Sequence, residues 1–489
     1  MDFCIIICYY TICSQTDLYV VPFIPILSLG QFNKYYFTIG DNLMNINNDT
    51  DNNTHAEEST IVSFEELHSG NNLSKKSKTK REKLRNHFLR SAIALSIIIV
   101  MYLTVVYSSI PFIARWRTIY IETAMTTNTH HWLATWFFPD SVIAEVMLKY
   151  KEGRKDQEDL ASTWENVESI VDSEESIEFF SKYWELKSTS FSDYIKKHPD
   201  LVEDGYDKLL IEDLDKKLRL KTTEGDDLLV VDIPNNLLII GVKGSGYQGK
   251  LAIVKESEQV FMGKAAAYGS IGQEIDSFCE TNNAILGINA SGFVDPKGEG
   301  LGSQIKGCLV IDGVDYSSHH EEAAWKYFGV KEKDERMYIS AFTEGMQEEY
   351  RWGMEFYPGL IIDGVSVVDG TYGMGIQPRS TIGQTKEGSM LLLVVDGRQT
   401  HSLGCTVEDC ANIMLRYHAY QGMNLDGGSS SVMYYNGQFI TKSSSVTGRG
   451  RYMPNAILVK AAKDTKFKNK NTGLDNDDDS TIIKSEPAN

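Results

Sequence analysis

The chain has 489 residues, 42% of them hydrophobic, with a formal net charge of −19. That length allows two to four domains and a sizeable core. The acidic balance excludes general nucleic-acid binding, which needs a basic surface. Seven cysteines form no Cys-x-x-Cys pair and no zinc spacing with histidine, so neither a disulfide framework nor a metal centre is expected. Cys405 and Cys410 are close enough in sequence to bridge, although Cys410 reads better as a buried helix residue.

Residues 1–43 hold two apolar runs interrupted by Asp17, Pro22 and Pro25, poor material for a spanning helix. They read either as a weak membrane segment or, preferably, as an extension upstream of a start at Met44. Residues 44–74 are polar and Asn-rich, with the composition of a disordered segment. A basic run from Lys75 to Arg90 follows, and then Ser91 to Ile113, 23 residues without a charge. That length spans a bilayer with some tilt. Arg115, Trp116 and Arg117 mark the far interface, and the basic excess puts residues 1–90 in the cytoplasm and the bulk of the chain outside. A cleaved signal peptide fits less well, because the apolar stretch is long and no small-residue cleavage site follows it. The expectation is a single-pass cell-membrane protein, bound to the lipid bilayer through residues 91–113.

Residues 114–227 read as a juxtamembrane and acidic helical spacer. Its aromatics Tyr120, Trp132, Trp136, Phe137 and Phe138 either lie on the membrane or pack on the outer domain. Beyond Leu228 the texture changes to short apolar runs: 228–232, 236–240, 251–254, 284–288, 309–311, 360–362, 390–395 and 456–459. These predict strands. Helices are predicted over 270–282 and 407–421, the second capped by Thr406 with Glu408 and Asp409 in its first turn. The fold class expected is α+β, a sheet-rich mixed α/β catalytic domain over residues 228–463, behind one transmembrane helix and the helical spacer. Residues 464–489 read as a disordered tail.

Gly244-Ser-Gly-Tyr-Gln-Gly249-Lys250 matches a dinucleotide fingerprint and nearly matches a phosphate-binding P-loop. Both need a helix next, and the P-loop needs Ser or Thr where Leu251 stands. A strand is predicted there instead, so the segment reads as a glycine-rich hairpin.

Four polar clusters interrupt the strands: Gly287 to Phe293, Gln377 to Gly383, Asp396 to His401, and Asn424-Leu-Asp-Gly-Gly-Ser-Ser-Ser431. Each sets a charged or amide group beside glycine, mostly at a strand end, where loops gather functional groups. One such cluster is usually a turn; four in one domain suggest a site. Together they resemble the phosphodiester glycosidase family, whose animal member uncovers mannose 6-phosphate by removing N-acetylglucosamine. The resemblance covers about residues 235–460. It is carried by Asn424 to Ser431, Pro378-Arg-Ser-Thr-Ile-Gly383, Asp396-Gly-Arg398 and Arg451-Tyr-Met-Pro-Asn455. Two departures are Asn289-Ala-Ser-Gly292-Phe293, where the family often has Asn-Gly-Gly-Phe-Phe, and Ser429, where it has a third glycine. The anchor and aromatic segment are similar to cell-surface members from Gram-positive bacteria, linked to surface polysaccharide or teichoic-acid metabolism.

The resemblance implies an extracytoplasmic hydrolase that cleaves a sugar-1-phosphodiester at the anomeric carbon, with a carbohydrate or sugar-phosphate substrate and no cofactor. Such a reaction develops positive charge on the sugar and negative charge on the phosphate. Asp426 is then the candidate catalytic carboxylate, as nucleophile, base or stabiliser of the cationic ring. Asp396 is the candidate second carboxylate. Arg379 is the first choice for phosphate, since its planar fork suits that group, and Arg398 the second. Asn289, Gly292, Phe293, His401 and Asn424 are candidate substrate contacts, with Gly427, Gly428, Ser429 and Ser430 as backbone or hydroxyl donors. His319 and His320 precede Glu321 and Glu322 but match no metal-binding helix motif. The alternatives are a carbohydrate- or cell-wall-binding module on a membrane stalk, and a glycosidase acting on ordinary glycosidic bonds. The oligomeric state, the sugar and its aglycone are left open.

Overall fold

In the computed structural model the described residues are 8–13, 18–23, 67–127, 129–164, 175–295, 300–316 and 324–468. The sequence readings for 44–66, 469–489 and His319 to Glu322 lie outside them. The chain divides into two units, residues 1–93 and 94–489. The first holds an antiparallel hairpin of Cys8–Cys13 and Leu18–Phe23 and the start of helix α1 (Leu67–Tyr107). The second holds the rest.

Among the described residues, one helix is long and apolar enough to cross a membrane, Glu82–Tyr107 within α1. It stops short of Ile113 because Pro111 lacks the N–H a continuing helix needs and instead opens α2 (Pro111–Met125). Arg117 ties the corner: its Nη1 donates to the carbonyls of Val105, Val106 and Ser108. These are orphan acceptors at the end of α1, and a cation suits them. Two further helices, α3 (Trp132–Thr135) and α4 (Asp140–Asp156), pack on α2 through Val106, Ile121, Ala124, Ala134, Phe138, Val142 and Val146.

The remainder is built on three antiparallel sheets. The largest has nine strands, in the order Val365–Ser366, Gly359–Ile362, Ala419–Asn424, Arg379–Thr385, Met390–Val395, Tyr247–Val254, Leu237–Gly244, Asp227–Asp232 and Leu210–Glu212. Its faces alternate cleanly. Leu229, Leu237, Ile239, Ala252, Val254, Leu392 and Val394 point into one core. Leu228, Leu238, Ile240, Leu251, Ile253, Leu391 and Leu393 point into the other. Burial on both faces explains why these strands read as unbroken apolar runs. The first core is shared with two five-stranded sheets, one around Ala284–Asn289 and Asn455–Lys460, the other around Lys326–Lys331 and Tyr350–Phe356. The second core is closed by α5 (Glu175–Lys182), α6 (Thr189–Lys197) and α8 (Val407–Arg416), while α7 (Ile275–Thr281) lies against the sheet of Ala284–Asn289.

The glycine-rich segment is a hairpin, with Gly244 opposite Tyr247. The structure departs from the sequence reading in three elements. The helix predicted over 407–421 ends at Arg416, with Ala419–Asn424 a central strand; the helix predicted over 270–282 spans Ile275–Thr281; and the stretch read as a helical spacer contributes the strand Leu210–Glu212. The predicted N-cap is present and forms a capping box: the Thr406 hydroxyl accepts from the Asp409 N–H, and the Asp409 carboxylate accepts from the Thr406 N–H.

Helix α2 is fastened to the loop 374–377. The Thr123 hydroxyl accepts from Ile376 N–H at 3.0 Å, and the Thr126 hydroxyl accepts from Gln377 Nε2. Gly375 makes this approach possible. It sits at φ +65°, and a Cβ there would lie 2.3–2.7 Å from Thr123 atoms. Gly370 has a similar φ of +52° but open space around it. Gly370→Ala should therefore cost about 1 kcal/mol, the backbone strain alone. Gly375→Ala should cost at least about 1 kcal/mol more by prising α2 off the loop. Urea unfolding of the two variants measures the difference, and equal losses would mean the helix contact contributes nothing.

Candidate active site

Three of the polar clusters meet because of strand direction. The strand Arg379–Thr385 begins at the edge where its antiparallel neighbours Met390–Val395 and Ala419–Asn424 end, with Arg379 opposite Val395 and Thr381 opposite Asn424. Arg379, Asp396 and Asp426 therefore leave one end of one sheet. The fourth cluster arrives from the neighbouring sheet, where Ala284–Asn289 ends. A buried knot joins the two sheets. Asn289 Nδ2 donates to the Asp426 carbonyl at 2.6 Å, and Asn289 Oδ1 accepts from Ser380 Oγ at 2.6 Å and from Val432 N–H at 3.2 Å. The Asp426 N–H donates to the Ala290 carbonyl, and Leu425 N–H to that of Ser380. Asn289 thus has its amide engaged by the protein and positions the Asp426 backbone.

Above this knot lies a cavity of about 910 Å³. Its lining includes Arg379, Arg398, Asn424, Asp426, Gly427, Gly428 and Ser429. Burial pushes the Asp426 carboxyl up to about 6, offset in part by the nearby Ser430 hydroxyl, the Gly427 N–H and the Arg398 charge. Arg379 is only 2% exposed. Its guanidinium donates to the carbonyls of Cys405 at 3.4 Å, Met374 at 3.2 Å and Gly375 at 3.1 Å. Arg398 donates from Nη2 to Gln377 Oε1 at 2.9 Å. It is held at φ +56°, a left-handed conformation that a non-glycine residue adopts at a cost. Gly428, itself at φ +63°, leaves room for that guanidinium: a Cβ there would stand 3.3 Å from it.

Among the described residues, neither arginine has a carboxylate within ion-pair distance. Burial lowers the pKa of both below the usual arginine value, and for Arg398 the charge of Arg379 adds to this. Two neighbouring guanidiniums that repel each other, Arg379 buried and Arg398 exposed at the cavity, held by neutral acceptors beside one carboxylate, make a site ready for an anion.

The other candidates are placed differently. Asp396 lies outside the cavity lining, with Oδ1 accepting from Lys442 N–H and Oδ2 3.0 Å from His401 Nε2. Both Asp396 and the exposed His401 are used in holding the loop 396–403. Gly292 packs beneath Phe356, and Phe293 stacks under the Arg451 guanidinium at 4.5 Å. The Gly428 N–H donates to the Pro378 carbonyl, so it is not free for a ligand, and the Ser429 carbonyl accepts from Ser443 Oγ. Asn424 Nδ2 donates to the Tyr357 carbonyl, while its Oδ1 has no partner. Cys405 and Cys410 are buried free thiols 3.4 Å apart. Among the described residues no cluster of three or more His, Cys, Asp or Glu side chains is arranged to hold a metal ion.

Several cavity residues were not among the candidate site residues. Gln377 couples Arg398 to Thr126 through the two ends of its amide. Arg451, paired with Asp295, stands in the closing motif and so was within reach of sequence reading. Met125, Thr126, Thr127, Thr129, His130, His131 and Tyr150 also line the cavity. They come from residues 125–127, 129–131 and 150, where nothing in the sequence marks them.

Residues 282–460 match the family model described as phosphodiester glycosidase. The chain therefore carries a domain of that family, a glycosidase and phosphodiester-hydrolase kind. It is 27% identical over 190 residues to the SPbeta prophage-derived uncharacterized protein YomE of Bacillus subtilis (strain 168), a match covering 36% of this chain and 28% of that protein. Among solved structures it is similar to the catalytic domain of zebrafish N-acetylglucosamine-1-phosphodiester alpha-N-acetylglucosaminidase, auto-inhibited by its pro-peptide. That match has a TM-score of 0.39 and 18% identity, over 46% of this chain and 82% of the other. A hypothetical protein from Synechocystis matches with a TM-score of 0.35 and 14% identity, over 49% of this chain and 64% of the other.

The raised Asp426 pKa has a stability consequence. Below about pH 3 the carboxyl is mostly neutral in both folded and unfolded chains. From there up to its folded value of about 6 the unfolded chain ionises first, so folding loses stability as pH rises. Asp426→Asn should thus stabilise the fold at neutral pH by on the order of 2 kcal/mol, and by almost nothing near pH 3. Thermal unfolding at the two pH values checks this; destabilisation at neutral pH would mean the charge is needed to hold the arginines.

Proposed function

We propose that the chain is a membrane-anchored, outward-facing phosphodiester glycosidase that hydrolyses sugar-1-phosphodiester linkages in surface polysaccharide or teichoic-acid-like glycans. Residues 1–90 are its cytoplasmic region, 91–113 carry the membrane anchor, 114–227 connect it, and 228–463 form the catalytic domain. The observation that carries this reading is the pairing of Arg379 and Arg398, without acidic partners, beside the half-buried Asp426 in one cavity.

In this mechanism Arg379 and Arg398 bind the phosphate and stabilise the charge that grows on it as the anomeric C–O bond breaks. Asp426 acts in its ionised form, facing the cationic sugar and taking a proton from the attacking water. The water oxygen becomes the anomeric hydroxyl. The phosphate oxygen keeps the electron pair of the broken bond, and the products are a free sugar and a phosphomonoester. A phosphate ester leaves readily, so no strong general acid is required, which is consistent with Asp396 standing outside the cavity. A pure binding module has no need of a carboxylate with a raised pKa beside two cations.

Two outcomes test this. Arg379→Lys keeps the charge and loses the planar fork, and should lower kcat/KM about 100-fold or more on a sugar-1-phosphodiester while an aryl glycoside of the same sugar loses far less. Equal losses would remove Arg379 from the phosphate. In the native chain kcat/KM should climb with pH up to about 6, the value set by Asp426, and then level off. A fall across that range would make Asp426 an acid instead.

A further inference from the structure

We propose that the catalytic cavity opens at the surface of the bilayer and that its substrate is a sugar-1-phosphodiester attached to a membrane lipid. This rests on the anchored glycosidase reading above and names the substrate class for the same site.

The rim of the cavity is made partly by Thr127, Thr129, His130 and His131. The next residue, Trp132, opens α3, and within five residues of it come Trp136 and Phe137. Trp136 is 75% exposed and Phe137 51%, and the rings of Trp132 and Trp136 lie 4.9 Å apart. Large aromatics left in the open rarely face water in such a group. The neighbouring α1 says what covers them. The Tyr102 hydroxyl donates to the Phe137 carbonyl at 3.0 Å. Tyr102 lies inside the candidate span Glu82–Tyr107, more than one turn before its end. Residue 137 therefore stands beside the span and not beyond it. Phe112, 72% exposed, and Trp116, 50% exposed, open the next helix on the same corner, where Arg117 closes the end of α1.

An apolar span, a tryptophan pair and a basic residue at one level form the belt that sits among lipid headgroups. The occupant of this surface is thus the bilayer that holds α1, continuous with it. A rim that begins one residue before the belt lies at headgroup depth. A soluble sugar phosphate reaches such a site only from the water side, whereas a lipid-attached one is delivered in the plane of the membrane. Polar His and Thr side chains on the rim suit a phosphate or sugar entering from the headgroup layer.

Two measurements on the full chain in phosphatidylcholine vesicles test this. The first reads depth: acyl-chain-brominated lipid should quench part of the tryptophan fluorescence, and Trp132→Phe with Trp136→Phe should cut the quenched part at least twofold. Unchanged quenching would overturn the surface. The second reads substrate: one sugar-1-phosphodiester headgroup is supplied either lipid-tethered in the same vesicles or water-soluble. The native chain should prefer the tethered form at least tenfold in KM. Trp132→Ser with Trp136→Ser should erase that preference while changing turnover of the soluble form less than twofold. Equal use of both forms by the native chain, or equal losses in the variant, would overturn the substrate class. Failure to hydrolyse either form would overturn the proposed function and the substrate class with it, and the quenching result would still decide the surface.

Discussion

The site depends on one buried amide. Asn289, at the end of a strand in one sheet, donates to the Asp426 backbone and accepts from Ser380 in another. Such bonds are modest in the net, but leaving either partner unsatisfied in the interior costs more than the bond contributes. The two sheets are therefore registered against each other at the point where Asp426 enters the cavity. Asn455 repeats the device alongside, its Oδ1 accepting from Ser291 N–H and its Nδ2 donating to Ser291 Oγ. The catalytic carboxylate proposed here is fixed by amides whose hydrogen bonds are made within the protein.

The second constraint is electrostatic. Two guanidiniums, Arg379 buried and Arg398 open to solvent, stand near one another and near a carboxylate whose own charge is disfavoured by burial. Neutral carbonyls and one glutamine amide orient them without cancelling their charge. An ion pair to each arginine would have stabilised the empty site and competed with any phosphate. Holding them through carbonyls keeps the cavity selective for an anion. That support comes partly from the loop 374–377, which helix α2 grips through Thr123 and Thr126.

The sheet-rich α+β class was legible because the strands of the large sheet are covered on both faces and read as apolar runs. Arg379–Thr385 was harder to see as a strand. Its polar side chains are buried and satisfied in part by distant partners, such as Met337 N–H donating to Gln384 Oε1. Ala419–Asn424 was taken into the preceding helix because Tyr420, Gln421 and Gly422 carry no alternation, and only tertiary pairing makes them a strand. In the site, Asp426 and the arginines stood out because charge beside glycine marks loops at strand ends. Asp396 looked equivalent, yet it turns to His401 and Lys442, a direction that no spacing encodes. The contribution of residues 125–131 was invisible for a simpler reason: their partners lie some 250 positions away.

The central claim is that the broken bond joins the anomeric carbon to oxygen, with phosphate as the leaving group. Hydrolysis of a sugar-1-phosphodiester in oxygen-18 water tests it most directly, by mass spectrometry of both products. The account predicts the heavy oxygen in the anomeric hydroxyl of the released sugar and none in the phosphomonoester. Heavy oxygen in the phosphate would contradict it, because the bond cut would then be phosphorus to oxygen and Asp426 would not face the sugar.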